Sequence, residues 1–151
     1  MSEHPTILFA EDNPHDVELT LSALAQHNLT NEIVAVPDGA VALDYLFRRG
    51  RFALRPAGNP ALALLDLKMP KLDGLDVLRA IRADPALKQI PVIILTSSRE
   101  EQDLARSYEL GVNAYVLKPV DFQAFVDAVQ AVGVFWTIHN QPPPGTMSGK
   151  R

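Results

Sequence analysis

Five polar residues, widely separated along the chain, each follow a short apolar run: the acidic pair Glu11-Asp12, then Asp66, Thr96 and Lys118. The runs are Ile7-Leu8-Phe9-Ala10, Leu62-Ala63-Leu64-Leu65, Val92-Ile93-Ile94-Leu95 and Ala114-Tyr115-Val116-Leu117. Short β-rich apolar runs bounded by turn residues read as buried parallel strands, and such sheets bind ligands at the carboxyl ends of their strands. Three carboxylates, a hydroxyl and an ammonium are therefore expected at one mouth. Carboxylates a few ångströms apart repel by roughly 4 kcal/mol per pair at an effective dielectric near 20, so the set calls for a cation. Mg²⁺ suits it, because it prefers oxygen ligands, keeps several waters and bridges to phosphate. Asp12 and Asp66 would ligate directly, Glu11 directly or through water, and a backbone carbonyl just after Asp66 would add another ligand. Once the charge is screened, a carboxylate oxygen of Asp66 can attack phosphorus and form an acyl phosphate. Lys118 would supply a point charge to the phosphoryl oxygens and Thr96 a hydrogen bond.

The elements that must position these residues alternate strand and helix five times, the pattern of an α/β doubly wound parallel sheet. After the first strand, Asn13 reads as an N-cap with Pro14 at the first helical position, and Val17, Leu21 and Leu24 follow at helical spacing. A second strand over 32–36 leads through Pro37-Asp38-Gly39 into a helix carrying Ala42, Leu43, Leu46 and Phe47. Beyond Asp66, Pro70 and Gly74 punctuate a loop, and Leu75, Leu78 and Ile81 mark a third helix that stops near Asp84-Pro85. Ser98 and Glu101 form a capping-box pattern for a fourth helix, with Gly111 as its stop, and Asp121 caps a fifth. The segment 48–60 carries Arg48, Arg49, Arg51 and Arg55 and reads as a long surface loop with solvated arginines. One domain over residues 1–140 and a disordered Pro-rich tail over 141–151 are expected.

The 151 residues suffice for one core. Forty-seven per cent are apolar and 21% charged, as in ordinary globular chains. A net charge of −4 gives no electrostatic reason to bind nucleic acid or an anionic membrane. The absence of cysteine excludes disulfides, thiolate chemistry and Cys-ligated zinc. Neither a signal-peptide pattern nor a membrane-length apolar stretch is present, so a cytoplasmic protein is the expectation.

Taken alone, each polar residue has an ordinary role: a solvated turn for Glu11-Asp12, an N-cap for Asp66, a strand terminus for Thr96 and a turn for Lys118-Pro119. Their conjunction at four strand ends does not. The pieces Ala10-Glu11-Asp12-Asn13, Leu64 through Pro70 with Gly74, Ile94-Leu95-Thr96-Ser97-Ser98 and Tyr115-Val116-Leu117-Lys118-Pro119 resemble the receiver domains of two-component response regulators. Spacings of 30 residues from Asp66 to Thr96 and 22 from Thr96 to Lys118 agree. The resemblance implies a (βα)5, flavodoxin-like receiver fold and phosphorylation of Asp66 by a sensor histidine kinase. It further implies Mg²⁺ held by Glu11, Asp12, Asp66 and the Lys68 carbonyl, and a switch in which Thr96 and Tyr115 move. A cis Lys118-Pro119 bond is implied too. A narrower resemblance, carried by Asp44-Tyr45-Leu46, Leu87-Lys88 and the Phe135-Trp136 ending, is to stand-alone receivers paired with phytochrome-type kinases.

The competing readings are weaker. A haloacid-dehalogenase-like aspartyl phosphatase needs a second Asp two residues after the nucleophile, where this chain has Lys68. A flavodoxin-like cofactor carrier needs a Ser/Thr/Gly-rich first loop, where this chain has Glu11-Asp12. A scaffold-only receiver is disfavoured because every chemical position is filled. The chain is thus expected to be no enzyme beyond its own phosphorylation and slow hydrolysis. In the last helix, Phe122, Val126, Val129 and Gly133 are expected to face the core. Phe125, Val132, Phe135 and Trp136 are left partly outward, which together with the fourth helix predicts a homodimer.

Overall fold

A computed structural model describes residues 6–25, 32–97 and 110–131. Its five strands, β1 (Thr6–Ala10), β2 (Glu32–Val36), β3 (Leu62–Asp66), β4 (Val92–Thr96) and β5 (Ala114–Leu117), form one parallel sheet ordered β2-β1-β3-β4-β5. The helices among the described residues are α1 (Pro14–Ala25), α2 (Gly39–Phe47), α3 (Gly74–Ala83) and α4 (Phe122–Ala131), with a 3₁₀ turn at Gly50–Phe52. The doubly wound α/β receiver fold expected from the sequence is present. The expected helix over 100–110, its Ser98-Glu101 cap and the tail lie outside the described residues.

Alternation along each strand sends side chains to two separate cores. Leu8, Ala10, Ala63, Leu65, Val92 and Ile94 pack with α2 and α3, while Ile7, Phe9, Leu62, Leu64, Ile93 and Leu95 pack with Leu24, Phe125 and Val129. Both faces of β1, β3 and β4 are thereby covered, which is why their sequences are continuous rather than alternating apolar runs. Burying each of the Leu, Ile, Val and Phe side chains is worth about 1.5–3 kcal/mol.

The helix starts follow local chemistry. Asn13 Oδ1 accepts from the backbone N–H groups of His15 and Asp16, and Asp38 Oδ1 accepts from Val41 N. Asp73 and Asp76 form a reciprocal capping box ahead of α3, and Asp121 Oδ1 accepts from Ala124 N. Gly74 has a packing reason as well. A Cβ there would lie 2.5 Å from the Asp66 carbonyl oxygen, so only glycine lets α3 start this close to the end of β3.

One expectation is corrected. Phe125 does not face outward: it is buried at 2% exposure with Ala128 and Val129, whereas Phe122 and Val126 are half-buried. The apolar residues almost encircle this helix, so its rotation is decided by the sheet it meets, and the core face is Phe125, Ala128 and Val129. Val132, Gly133, Phe135 and Trp136 lie outside the described residues. The segment 48–60 is the expected surface loop, with Arg48, Arg49 and Arg51 exposed, and Arg55 organises it from within. Arg48 caps α2 in the left-handed conformation, and the Arg55 guanidinium donates to the carbonyls of Tyr45, Pro56 and Gly58 at 2.7, 2.9 and 2.9 Å. That guanidinium also lies 4.1 Å from the centre of the Tyr45 ring, and Phe52 packs edge-on against the same ring.

Candidate functional site

Register brings the polar residues together. Ala10 pairs with Leu65, Asp66 with Leu95 and Thr96 with Leu117, so Glu11, Asp66, Thr96 and Lys118 sit side by side at the carboxyl edge. The ladder continues past the strand ends: Leu67 N donates to Leu95 O at 2.8 Å and Lys118 N to Thr96 O at 2.9 Å. These bonds fix the first residues of the loops that carry the chemistry. Lys118-Pro119 is a cis peptide, as the resemblance implies.

A cavity of about 180 Å³ opens at this edge, lined by Glu11, Asp12, Asp66, Lys68, Thr96 and Lys118, with Asp16 among its other walls. Glu11, Asp66 and Thr96 are buried, at 2%, 4% and 2% exposure, and Asp12 and Lys68 are exposed at the rim. Glu11, Asp12 and Asp66 each bring a carboxylate oxygen to within 4.8 Å of the others. Lys118 reaches across to Glu11 Oε1 at 3.0 Å, Asp66 Oδ1 at 3.0 Å and Asp16 Oδ2 at 2.9 Å.

The electrostatics of this set are unbalanced. Burial pushes the Asp66 carboxyl up to about 7; the Lys118 hydrogen bond opposes that, and the Glu11 and Asp12 charges add to it. Burial acts to lower the Lys118 ammonium, but its hydrogen bonds to Asp16, Asp66 and Glu11 outweigh burial and raise it above its ordinary value. Four carboxylates thus face one enclosed ammonium. An all-oxygen donor set with that shortage of positive charge fits a hard divalent cation, and Glu11, Asp12 and Asp66 are the residues that could hold it.

Tyr115 is half-buried on β5, packed toward the α2–α3 core and paired in register with Ile94; it does not line the cavity. Asp16 is a member of the site that the strand-end pattern does not pick out. As the third helical residue after an Asn N-cap, it would ordinarily reach back to the N-cap N–H in a capping box. Here Glu11 Oε2 accepts from Asn13 N at 3.2 Å, and the Asp16 carboxylate turns to Lys118 instead. The sequence signal for Asp16 is weak: a further acid in the first turn of α1, one helical turn past Asp12.

Sequence comparison decides the family, because the profile of the response regulator receiver domain matches residues 7–130. The chain belongs to the response regulator receiver family. It is 38% identical over 130 residues to response regulator Rcp1 of Synechocystis sp., covering 86% of this chain and 87% of that protein. Among solved structures, the bacteriophytochrome response regulator AtBRR superposes with a TM-score of 0.83 at 58% identity, covering 89% of this chain and 96% of that one. The phosphorylated cyanobacterial phytochrome response regulator RcpA does so with 0.73 at 41% identity over 88% and 94%. Rcp1 has been solved in a Mn²⁺-bound form, with a TM-score of 0.72 over 88% of this chain and 94% of that one. The chain is therefore a receiver domain of the two-component type, close to phytochrome response regulators. Membership separates it from the haloacid dehalogenase and flavodoxin alternatives. No helix among the described residues is long and apolar enough to cross a membrane.

Proposed function

We propose that this receiver takes a phosphoryl group onto Asp66 from a sensor histidine kinase of the phytochrome type and signals by a change of surface. The observation that carries this reading is the buried Asp66 carboxylate, held 3.0 Å from Lys118 in a cavity that Glu11, Asp12 and Thr96 complete. Glu11, Asp12, Asp66 and the Lys68 carbonyl would hold Mg²⁺, which when bound neutralises the phosphoryl oxygens. An Asp66 oxygen forms the bond to phosphorus as the bond to the donor's imidazole nitrogen breaks. Lys118 gives an N–H to a phosphoryl oxygen, and the Thr96 hydroxyl gives another hydrogen bond. Positioning and electrostatic stabilisation supply most of the rate in such transfers. Thr96 and Tyr115 would carry the switch to the surface, and the chain performs no catalysis beyond its own phosphorylation and slow hydrolysis.

The similarity to AtBRR, RcpA and Rcp1 supports both the phosphorylation and the choice of kinase. Incubation with Mg²⁺ and acetyl phosphate should add one acid-labile phosphoryl group, and Asp66→Asn should abolish it with the fold intact. Labelling that persists in the variant, or that maps to Asp12, contradicts the assignment, and no labelling of the native chain leaves a scaffold-only receiver. We further propose a homodimer through the fourth helix expected over 100–110, together with Val132, Phe135 and Trp136. Sedimentation at tens of micromolar should show a dimer that Trp136→Glu weakens; a strict monomer rejects it.

A further inference from the structure

An ammonium has three N–H bonds, and Lys118 spends all three on carboxylates: Glu11, Asp16 and Asp66. Two of those partners belong to the three-carboxylate cluster that can hold a cation, and Asp16 does not. During phosphoryl capture Glu11 and Asp66 must turn oxygens toward the cation, and Asp66 must also form the bond to phosphorus. Both then hold the lysine less well. Asp16 has neither duty. Its backbone is fixed, since Asp16 N donates to Asn13 Oδ1 at 3.1 Å and Asn13 N donates to Glu11 Oε2 at 3.2 Å. The residue sits in the first turn of α1, where the helix dipole favours a carboxylate, and its side chain is 28% exposed.

We propose that Asp16 is the positioning residue for Lys118: it keeps the ammonium directed at the phosphoryl group when Glu11 and Asp66 are otherwise engaged. The role rests on the phosphoacceptor reading above. Asp16 does not touch the phosphoryl group and acts only through the lysine. One N–H stays on Asp16 while the others become free to reach phosphoryl oxygens. Without Asp16 the lysine, on four flexible methylenes, would sample several directions in the same cavity.

The test compares Asp16→Ala, Lys118→Ala and the double variant in labelling by acetyl phosphate at saturating Mg²⁺. Loss of a charge-assisted hydrogen bond should slow Asp16→Ala about tenfold. Because the effect passes through Lys118, the double variant should label no more slowly than Lys118→Ala alone. Calorimetry should give a beryllofluoride affinity about tenfold weaker in Asp16→Ala, with the Mg²⁺ Kd within about threefold of native. Asp16→Asn, which keeps size and one acceptor, should fall between and guards against misfolding. Native-like labelling of both Asp16 variants overturns the positioning role while leaving the acceptor reading standing. So does an equal loss with and without Lys118. A native chain that takes no label overturns the acceptor reading, and the positioning role with it.

Discussion

Replacing Asp66 by asparagine should make the cation-free protein more stable, and by an amount that grows with pH. The folded carboxyl ionises at about 7 and the unfolded one at 3.8, because burial dominates over the Lys118 bond. The native state therefore binds more protons than the unfolded chain between those values, and its stability falls as pH rises through that window. The Asp66→Asn variant has nothing to ionise at this position, while every other titrating group is common to both chains. The difference between their stabilities reports Asp66 together with its charge coupling to Lys118, Glu11 and Asp12. From pH 5 to the folded value is about two units, an upper bound of about 2.7 kcal/mol at about 1.36 kcal/mol per unit. Relaxation and water entry at the cavity mouth should reduce this to about 1.5 kcal/mol, or about 3–6 °C in melting temperature for a domain of this size. The assay is thermal unfolding by circular dichroism in chelator at pH 5, 6, 7 and 8. Saturating Mg²⁺ should shrink the gap at pH 8, since the native chain gains a cation that the amide variant holds poorly. A gap that does not change with pH, or a variant less stable than native at pH 8, would show that the Lys118 bond outweighs the burial of the carboxylate.

Two further outcomes follow from named contacts. Asp12→Ala should weaken Mg²⁺ binding at least about tenfold in a calorimetric titration while leaving the metal-free melting temperature unchanged or slightly higher. Asp12 is exposed, whereas Glu11 also serves Lys118 and Asn13 and is the poorer probe. Arg55→Ala should cost about 2–3 kcal/mol, lowering the melting temperature by about 5–10 °C. Acetyl phosphate labelling should stay native-like, because Arg55 holds Tyr45, Pro56 and Gly58, none of which lines the cavity.

The strands and the site are legible in the sequence for one reason: in a parallel sheet covered on both faces, a strand is an apolar run and its end is marked by the first polar residue. Glu11, Asp66, Thr96 and Lys118 announce themselves that way. The caps at Asn13 and Asp121 are legible because capping is a local hydrogen bond. What stays hidden depends on partners remote in sequence. Arg82 donates to the carbonyls of Gly111 and Ile90 and to Asn113 Oδ1, tying α3 to the approaches of β4 and β5. Nothing near Arg82 in the chain marks it for that work. The rotation of α4 is hidden because apolar residues surround most of it, so periodicity points Phe125 outward and only contact with the sheet turns it in. Asp16 is hidden because its expected capping partner is taken by Glu11.

The Arg55 clamp has a practical side. It ties the 55–58 stretch of the 48–60 segment to α2 through the Tyr45 carbonyl and leaves the neighbouring Leu54 98% exposed. The segment enters β3 at Leu62, the opposite end of that strand from Asp66. Because the chain contains no cysteine, Leu54→Cys would give a single attachment point on an ordered backbone. A fluorophore there could follow docking and assembly of the phosphorylated and unphosphorylated forms alike, without entering the cavity it reports on.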